Sequence, residues 1–235
     1  MCEVCGCGDP ERVSVELHER ILASNERTAA HNREHFRRRS LLALNLMGSP
    51  GSGKTALLEA TRRAAPELRV AALSGDLATE RDAERLRAVG IPAETITTGS
   101  ACHLDAEMVH HALHRLPETP LDVLFVENVG NLVCPAIYDL GQAANVVALS
   151  VTEGEDKPLK YPVMFRAAHL VLLTKADLLP HLPEVSVDRV REALARVMPA
   201  PRLLVVSARS GDGLGGWLEW IEAQRRMPEA FAVAR

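Results

Sequence analysis

The eight-residue stretch GSPGSGKT, residues 48 to 55, constrains the fold of this 235-residue chain more than any other. It matches the pattern G-x-x-x-x-G-K-S/T at every position, follows the apolar run LLALNLM and precedes the helical stretch ALLEATRRAA. Glycines let the backbone amides curl around an anion, and the helix that follows turns its positive N-terminus towards that anion. A strand, a glycine-rich loop and a helix in this order predict a phosphate-binding loop.

Seven short apolar runs alternate with helical patterns, which predicts a layered α/β fold. The runs cover residues 41–47, 69–73, 93–97, 121–126, 145–151, 169–174 and 202–206. Strands that are apolar throughout are typical of a parallel sheet covered by helices on both faces. We therefore predict a three-layer P-loop NTPase fold with a mostly parallel, doubly wound sheet of about seven strands. Ligands of such folds bind beyond the carboxyl ends of the strands.

The composition is that of an ordinary globular protein, with 47% hydrophobic and 25% charged residues. No apolar run reaches the roughly 18 residues that a membrane span needs, so we expect no membrane association. A net charge of −4 and a pI of about 6.1, without a basic stripe, argue against nucleic-acid binding. The chain begins with cysteines and acids where a secretory signal places basic and apolar residues, so we expect a cytoplasmic protein.

The phosphate-binding loop predicts a Mg²⁺-dependent reaction at the end of the first strand. Gly48, Ser49, Gly51, Ser52 and Gly53 form the predicted cradle for the phosphates. Lys54 can reach the β and γ phosphates, and the Thr55 hydroxyl can ligate Mg²⁺. Asp76 and Glu127 end the second and fourth runs, where a carboxylate can hold Mg²⁺ or orient the attacking water. We therefore predict Lys54, Asp76 and Glu127 as catalytic residues and, without an obvious arginine finger, a low intrinsic rate.

Two further loops predict a guanine base. TKAD, residues 174–177, resembles the Asn-Lys-x-Asp motif of GTPases with Thr in place of Asn, and contributes Lys175 and Asp177. Asp177 would accept hydrogen bonds from guanine N1–H and the exocyclic amine, whereas adenine presents mismatched acceptor atoms there. SAR, which begins with Ser207 and Ala208, resembles the Ser-Ala-Lys loop that backs the base. GTP is therefore the predicted nucleotide.

Cysteine and histidine predict a metal site beside this nucleotide. Clustered cysteines in a reducing compartment indicate metal binding or redox chemistry more readily than disulfides. Cys102 and His103 are expected at the N-terminus of a helix that begins near Leu104, where the thiolate is favoured over the thiol. Cys134 lies on the loop after the fourth run and is the expected neighbour. Two thiolates and an imidazole from adjacent loops predict an open Zn²⁺ or Ni²⁺ site, which a second copy of the chain would complete.

Other histidines near this site are weaker candidates. His110 follows His103 by seven residues and shares its predicted helix face, which makes it a possible further metal ligand. The favoured interpretation of His110 is a surface histidine that binds no metal. His111 and His114 are interpreted as solvated side chains.

The first residues carry a second group of thiols. Cys2, Cys5 and Cys7 lie within the stretch CEVCGC, whose glycine allows the backbone to fold tightly around an ion. Three thiolates need a fourth donor, and the N-terminal amine is the nearest candidate. Such a set suits square-planar Ni²⁺ as well as tetrahedral Zn²⁺, so the spacing does not choose the metal.

The stretch VENVGNLVCP predicts that the nucleotide and the metal influence each other. Glu127 and Gly130 belong to the loop that moves in switch-type NTPases when the γ-phosphate is lost, and Cys134 follows within a few residues. A change at the phosphate is therefore expected to alter the metal geometry. By linkage, the metal is expected to alter nucleotide binding or dimerisation.

These motifs together resemble a known family. The stretches MCEVCGCG, LNLMGSPGSGKT, SGDLAT, CHLDAEM, VENVGNLVCPA, SVTEGEDKPLKYP and TKADLLP are similar to those of HypB, the nickel-inserting GTPases of NiFe-hydrogenase maturation. The resemblance implies a GTPase of the same broad class as the urease nickel GTPases. It also implies a homodimer that depends on nucleotide and metal, and that acts with other hydrogenase maturation proteins on the hydrogenase large subunit precursor.

The resemblance also assigns residues by position. Cys2, Cys5 and Cys7 resemble the high-affinity nickel motif of some members, while Cys102, His103 and Cys134 resemble the metal site of the GTPase domain. Lys157 and Lys160 of EGEDKPLKYP are the implied contacts to nucleotide and partner subunit. Residues 10–40 hold only three histidines, where some relatives carry a His-rich storage tract, so bulk nickel storage is not expected.

Three predicted parts and several alternatives follow. We expect a flexible N-terminal metal-binding tail over 1–10, an amphipathic helix over 11–40 and a P-loop GTPase domain over 41–235. A urease-type nickel GTPase is the closest alternative, although that relationship does not explain the N-terminal cysteines. A P-loop small-molecule kinase would release a phosphorylated product, and a zinc store or sensor would bind metal without hydrolysing GTP.

Overall fold

Seven parallel strands form one sheet at the centre of the molecule. The structure is a computed structural model that describes residues 10–76, 79–99 and 101–227. The strands are β1 Leu42–Met47, β2 Val70–Asp76, β3 Ala93–Thr97, β4 Val123–Glu127, β5 Ala144–Ser150, β6 Leu170–Thr174 and β7 Leu203–Val205. Their spatial order is β3-β2-β4-β1-β5-β6-β7, and each neighbouring pair is parallel. The predicted fold class is confirmed, with the described sheet parallel throughout.

Eight helices accompany the sheet in the described part of the chain. They are α1 Pro10–Arg38, α2 Lys54–Ala64, α3 Arg81–Ala88, α4 Ala106–Leu113, α5 Lys157–Lys160, α6 Pro162–Arg166, α7 Val187–Val197 and α8 Leu214–Arg226. Short 3-10 turns occupy Cys134–Ala136, Val151–Glu153 and Ala176–His181. Within the described ranges, none of the helices combines the length and apolar character that crossing a bilayer requires.

The core consists of the two covered faces of the sheet. Leu42, Leu44 and Leu46 of β1 pack between the sheet and helices α2, α3 and α8. The alternate residue Ala43 packs under α1 and α4, and Met47 packs under α6 and α7. Successive side chains of a strand point to opposite faces, so an all-apolar strand fills both layers at once.

Two buried asparagines fasten α1 to the site end of the molecule. Asn32 Nδ2 donates to the carbonyls of Ala106 at 2.8 Å and Leu140 at 3.1 Å. Asn25 Oδ1 accepts from the Ala106 amide at 2.8 Å, and its Nδ2 donates to the Asp139 carbonyl at 2.7 Å. Helix α1 therefore connects the start of α4 to the segment that leads into β5.

A cluster of charged side chains joins β2, β4 and α8 at the amino-terminal ends of the strands. Asp122 precedes β4 and accepts from Arg69 Nε at 2.9 Å and from Arg225 Nη2 at 2.7 Å. The Arg69 guanidinium holds the pKa of Asp122 at about 2, against an ordinary value of 3.8. The cluster ties α8 to the amino-terminal ends of β2 and β4, away from the ligand-binding edge.

Candidate nucleotide and metal site

The phosphate-binding loop runs from β1 into α2 along a path that requires glycine. Gly51 and Gly53 have φ values of +74° and +94°, in the left-handed region that favours glycine. At Gly48 a Cβ atom would lie 2.4 Å from the Ala148 carbonyl oxygen, which leaves no room for a side chain. The loop thus has the backbone path that the sequence pattern predicts.

Lys54 begins α2 and folds back over this loop. Its buried ammonium donates to the carbonyls of Gly48 and Ser49, at 3.2 Å each. Burial lowers the pKa of Lys54. Beneath it, the buried Ser52 hydroxyl has no hydrogen-bond partner among the described residues. The loop therefore holds a cation and an unsatisfied polar group where the sequence places the phosphates.

The predicted Mg²⁺ ligands meet at the other side of Lys54. Thr55 Oγ1 donates to Glu127 Oε1 at 2.7 Å, and the second oxygen of Glu127 has no partner within the described ranges. Glu127 is only 3% exposed, and burial raises its pKa to about 7. Asp76 lines the same cavity of ≈ 430 Å³ and accepts a hydrogen bond from Thr79. An unpartnered buried carboxylate oxygen beside a hydroxyl and a second carboxylate fits the oxygen-rich ligand set that Mg²⁺ prefers.

Two residues that the sequence analysis missed also contact this region. The Ser49 hydroxyl donates to the Glu153 carboxylate, and Lys157 Nζ lies 3.5 Å from the same carboxylate. Arg85 lines the phosphate cavity and is paired with Glu59 at 2.9 Å. Residues 150–153 read S-V-T-E, a capping-box pattern that marks Glu153, whereas no local pattern points to Arg85.

The predicted base-binding residues surround a second cavity of ≈ 380 Å³, which Lys175, Asp177 and Ala208 line. Ser207 Oγ donates to Asp177 Oδ1 at 2.6 Å and orients the carboxylate. Thr174, at the position of the motif's Asn, donates to the Ser52 carbonyl at 2.6 Å. The Thr therefore provides a direct link between this loop and the phosphate-binding loop.

The two isolated cysteines and His103 come together. Cys102 Sγ and Cys134 Sγ lie 3.0 Å apart, well beyond the roughly 2.05 Å of a disulfide, and both thiols are free. Cys102 Sγ is 3.8 Å from His103 Nδ1, and the three ligand atoms all lie within 4.8 Å of one another. Two sulfurs and one imidazole suit Zn²⁺ or Ni²⁺, and a three-ligand set leaves a coordination position open.

Neighbouring groups set the protonation and orientation of these ligands. Burial lowers the pKa of His103, which favours the neutral imidazole that binds metal. The hydrogen bond shared with Cys102, followed by burial, raises the pKa of Cys134. The His103 ring stacks on Tyr138, with centroids 3.9 Å apart and an interplanar angle of 19°. Tyr138 thereby fixes the plane of the imidazole. No sequence pattern predicts this contact.

The helix predicted to begin near Leu104 begins two residues later, at Ala106. Helix α4 begins at Ala106, because the Asp105 side chain accepts from the Met108 amide at 2.8 Å and caps the helix. Cys102 and His103 therefore lie in the preceding loop and not at the helix N-terminus.

The loops that carry Cys102 and Cys134 are adjacent, as expected, although the strands they follow are not neighbours in the sheet. Strand β2 lies between β3 and β4, so the Cys102 loop must cross β2 to reach Cys134. Gly75 of β2 makes room for this crossing, since a Cβ there would lie 2.9 Å from the Leu104 side chain. Asn128, just after β4, then accepts from the Leu104 amide at 3.1 Å.

The segment 128–133 touches the phosphate-binding loop as well as the metal loop. Asn131 pairs with Gly48 in an isolated antiparallel bridge. Gly130 lies so close to Pro50 that a Cβ atom would be 2.8 Å from the proline ring. The segment therefore connects the phosphate cavity to the loop that carries Cys134.

The N-terminal thiols Cys2, Cys5 and Cys7 lie outside the described residues. The predicted tail site and the three-part division of the chain therefore stay predictions.

Comparison with known proteins decides the family. Residues 42–204 match the model of the CobW/HypB/UreG nucleotide-binding domain. The chain is 55% identical over 212 residues to the hydrogenase maturation factor HypB of Azotobacter vinelandii, covering 90% of this chain and 70% of that one. The chain belongs to the HypB family. HypB of Escherichia coli K12 is 49% identical over 219 residues, covering 93% of this chain and 75% of its own.

Solved HypB structures have the same fold. The crystal structure of HypB from Helicobacter pylori in complex with nickel aligns with a TM-score of 0.84 at 39% identity, covering 90% of this chain and 99% of that one. HypB from Archaeoglobus fulgidus aligns with a TM-score of 0.80 at 38% identity, covering 87% and 100% of the two chains. The sequence resemblance to HypB is thus confirmed, and with it the P-loop GTPase class of the nucleotide site.

Proposed function

We propose that this protein is a GTP-hydrolysing nickel metallochaperone. It binds Ni²⁺ or Zn²⁺ and couples its GTP cycle and dimerisation to nickel insertion into the hydrogenase large subunit precursor, acting with other maturation proteins in the cytoplasm. The observation that carries this proposal is the segment 128–133, which contacts Gly48 and Pro50 on one side and leads into Cys134 on the other.

The nucleotide half of the proposal assigns each residue a task. Asp177 accepts from guanine, with Lys175, Ser207 and Ala208 around the base. Gly48, Ser49, Gly51, Ser52 and Gly53 enclose the phosphates, Lys54 exchanges its carbonyl contacts for phosphate oxygens, and Lys157 approaches from the side. Thr55, Asp76 and Glu127 would hold Mg²⁺, which supplies charge neutralisation at the phosphates.

We expect the proposed hydrolysis to be slow because the arginine nearest to the phosphates is held by acidic side chains. The transition state of phosphoryl transfer is stabilised by cations on the γ-phosphate oxygens. Arg85 lines the phosphate cavity, but Glu59 at 2.9 Å and Asp82 at 3.4 Å hold its guanidinium. Lys54 and the metal would then carry the catalysis without a free arginine.

The metal half of the proposal needs a second copy of the chain. Cys102, His103 and Cys134 supply three donors and leave one position for a donor from the partner. Val133 and Ile137, on either side of Cys134, are each 44% exposed, which supports an apolar contact between two copies at this point. A nucleotide-dependent shift of segment 128–133 would then change both the metal geometry and the dimer.

Other functions remain distinguishable by their products. The Helicobacter pylori relative, 40% identical over 216 residues, is named hydrogenase/urease maturation factor HypB, so a urease client is the nearest alternative. A small-molecule kinase would yield a phosphorylated acceptor in the presence of GTP. A zinc store would bind metal with no phosphate release.

The test is a metal titration with and without a non-hydrolysable GTP analogue. Ni²⁺ and Zn²⁺ are titrated into the wild type, Cys2→Ala and Cys134→Ala, and the oligomeric state is measured in parallel. We expect the nucleotide to change metal affinity and dimerisation in the wild type and in Cys2→Ala. Cys134→Ala should lose this dependence but keep metal binding by the tail.

An exposed histidine provides the matched control. His181→Ala removes an exposed imidazole far along the chain from both cysteine groups and should behave as the wild type. If the nucleotide leaves metal affinity, stoichiometry and oligomeric state unchanged in every variant, the proposed coupling fails.

A further inference from the structure

Four histidines gather on the surface where α1 packs against α4. His31 and His35 are one helical turn apart on α1, and His110 of α4 is four residues before His114, the residue that caps the end of α4. The ring centroids are 5.0 Å apart for His31 and His110, 4.9 Å for His110 and His114, and 6.4 Å for His35 and His114. This histidine cluster shares no residue with the group of Cys102, His103 and Cys134.

Two of these three separations fit imidazoles that share one ion, and the third, between His35 and His114, is about 1 Å longer. A metal about 2.1 Å from each imidazole nitrogen lies roughly 3.2 Å from each ring centre, so two ligating rings at tetrahedral or square-planar angles have centres about 4.5–5.2 Å apart. His110 stands at such a distance from both His31 and His114. Because His31 and His114 are exposed, small rotations of their side chains suffice to aim their nitrogens at a common point.

Buried Asn32 fixes the tautomer of the central ring. The Asn32 amide nitrogen is committed to the carbonyls of Ala106 and Leu140, so its Oδ1 must be the atom that faces His110. His110 Nδ1 lies 3.2 Å from this oxygen and must therefore carry the proton. The Nε2 lone pair of His110 is then available to a metal, an arrangement typical of metal-binding histidines.

The surrounding charges permit a cation. Burial, followed by neighbouring imidazoles for His110 and by Arg39 for His35, lowers the pKa of both rings and favours the neutral form. The nearest described cation is Arg39, whose Nη1 lies 3.5 Å from His35 Nε2. Arg39 is exposed and can turn into solvent when an ion takes its place.

We propose that His31, His35, His110 and His114 form a second divalent-metal site, built from imidazole nitrogen alone, at the α1–α4 surface. The ligand is Ni²⁺ or Zn²⁺, because imidazole suits these borderline ions. His110 of the cluster lies on α4, the helix that follows the Cys102 loop, so one helix connects the proposed nitrogen-donor site to the proposed sulfur-donor site.

The test removes all sulfur ligands first. The variant is the full chain without an affinity tag, with the substitutions Cys2→Ser, Cys5→Ser, Cys7→Ser, Cys102→Ser and Cys134→Ser. It is titrated calorimetrically with Ni²⁺ and with Zn²⁺. We expect about one ion per chain to bind, since the four histidines are intact. Adding His31→Ala and His114→Ala should weaken binding at least about 100-fold, because loss of even an outer-shell partner costs 10–100-fold.

Controls separate loss of ligands from loss of fold. The cysteine-free chain with His181→Ala should bind metal as its parent does, and thermal melting should confirm that each variant folds. The proposal is overturned if the cysteine-free chain binds no ion, or if the double histidine variant binds as tightly as its parent. Because no thiol is present in this experiment, its failure would leave the nucleotide coupling of the Cys134 site untouched.

Discussion

Asp177 illustrates how one side chain can decide the nucleotide. Ser207 occupies Oδ1 of its carboxylate at 2.6 Å, which holds the group in a single orientation beside the ≈ 380 Å³ cavity. A carboxylate held in one orientation binds a base that presents two adjacent N–H donors. With a base that lacks these donors, the carboxylate oxygens are left without hydrogen bonds. Specificity for guanine over adenine is therefore expected to rest on this residue.

The substitution Asp177→Asn should exchange the preferred base. Its amide offers a donor where guanine also has one, so we expect GTP to bind at least about 100-fold more weakly. Xanthosine triphosphate, with a carbonyl in place of the amine, should bind better than GTP. Nucleotide affinities measured by fluorescence check this.

Asp212→Asn is the control, since the Asp212 carboxylate is exposed and accepts from nearby Ser210, while the contact to Ser207 uses the Asp212 backbone carbonyl, which the substitution keeps. Unchanged GTP affinity in Asp177→Asn would refute the base assignment.

At the scale of elements, the segment 128–133 links the proposed nucleotide site to the proposed metal site through backbone proximity. Gly130 has Pro50 against its Cα, and Asn131 pairs with Gly48. Asn128 meanwhile joins this segment to the Cys102 loop and donates to Asn45 of β1 at 3.1 Å. Movement at the phosphates therefore has a short physical route to the thiols.

Gly130→Ala should disturb that route. The new methyl group would lie 2.8 Å from Pro50, so the segment and the phosphate-binding loop must separate. We expect a strain of about 1–3 kcal/mol, which weakens nucleotide binding and reduces the effect of nucleotide on metal affinity. Paired titrations of nucleotide and Ni²⁺ measure both.

Gly215→Ala provides the matched change, because nothing lies within 4 Å of the added atom inside α8. It should raise stability by about 0.5–1 kcal/mol and leave ligand binding alone. Wild-type coupling in Gly130→Ala would rule out this segment as the connection.

At the scale of the whole molecule, the stabilising cluster of charged side chains and the proposed ligand sites lie at opposite ends of the strands. The ligand-binding residues follow the carboxyl ends of the strands, as expected for a doubly wound sheet. The cluster of Arg69, Asp122 and Arg225 instead joins β2, β4 and α8 at the amino-terminal ends. Changes in that cluster should affect unfolding without affecting the nucleotide.

Asp122→Asn should lower the free energy of unfolding at pH 7 by about 2 kcal/mol, the scale of hydrogen bonds to charged groups. The folded-state pKa of Asp122 is about 2, below its ordinary 3.8, so this contribution is complete above pH 4. It is lost as the pH falls from about 4 towards 2. The difference in the free energy of unfolding between wild type and variant, measured with urea, should therefore become smaller over that pH range.

Asp188→Asn is the comparison for this experiment, because its carboxylate is 81% exposed and paired only with Arg191. Its effect should stay below about 0.5 kcal/mol at any pH. A constant gap for Asp122→Asn across the acid range, or a loss of GTP affinity at pH 7, would contradict the assignment.

The local features of this fold were predictable from the sequence. Each predicted strand is present within a few residues, because apolar runs and their helical spacers are short-range patterns. The glycine loop and the Asp177 and Ser207 loops are equally local, and parallel strands bring all three to one edge. The fold class and the placement of these three loops at one edge are therefore determined by the sequence by itself.

Only the tertiary structure decided what distant segments do together. The sequence predicts Cys134 beside Cys102, but not that the Cys102 loop crosses β2 at Gly75. The histidine cluster exists because α1 packs against α4. Such contacts depend on strand order and helix packing, which no short window of residues encodes. Periodicity and turn chemistry act between near neighbours in the chain, whereas the residues of the proposed metal sites are brought together by burial of surfaces that are far apart in sequence.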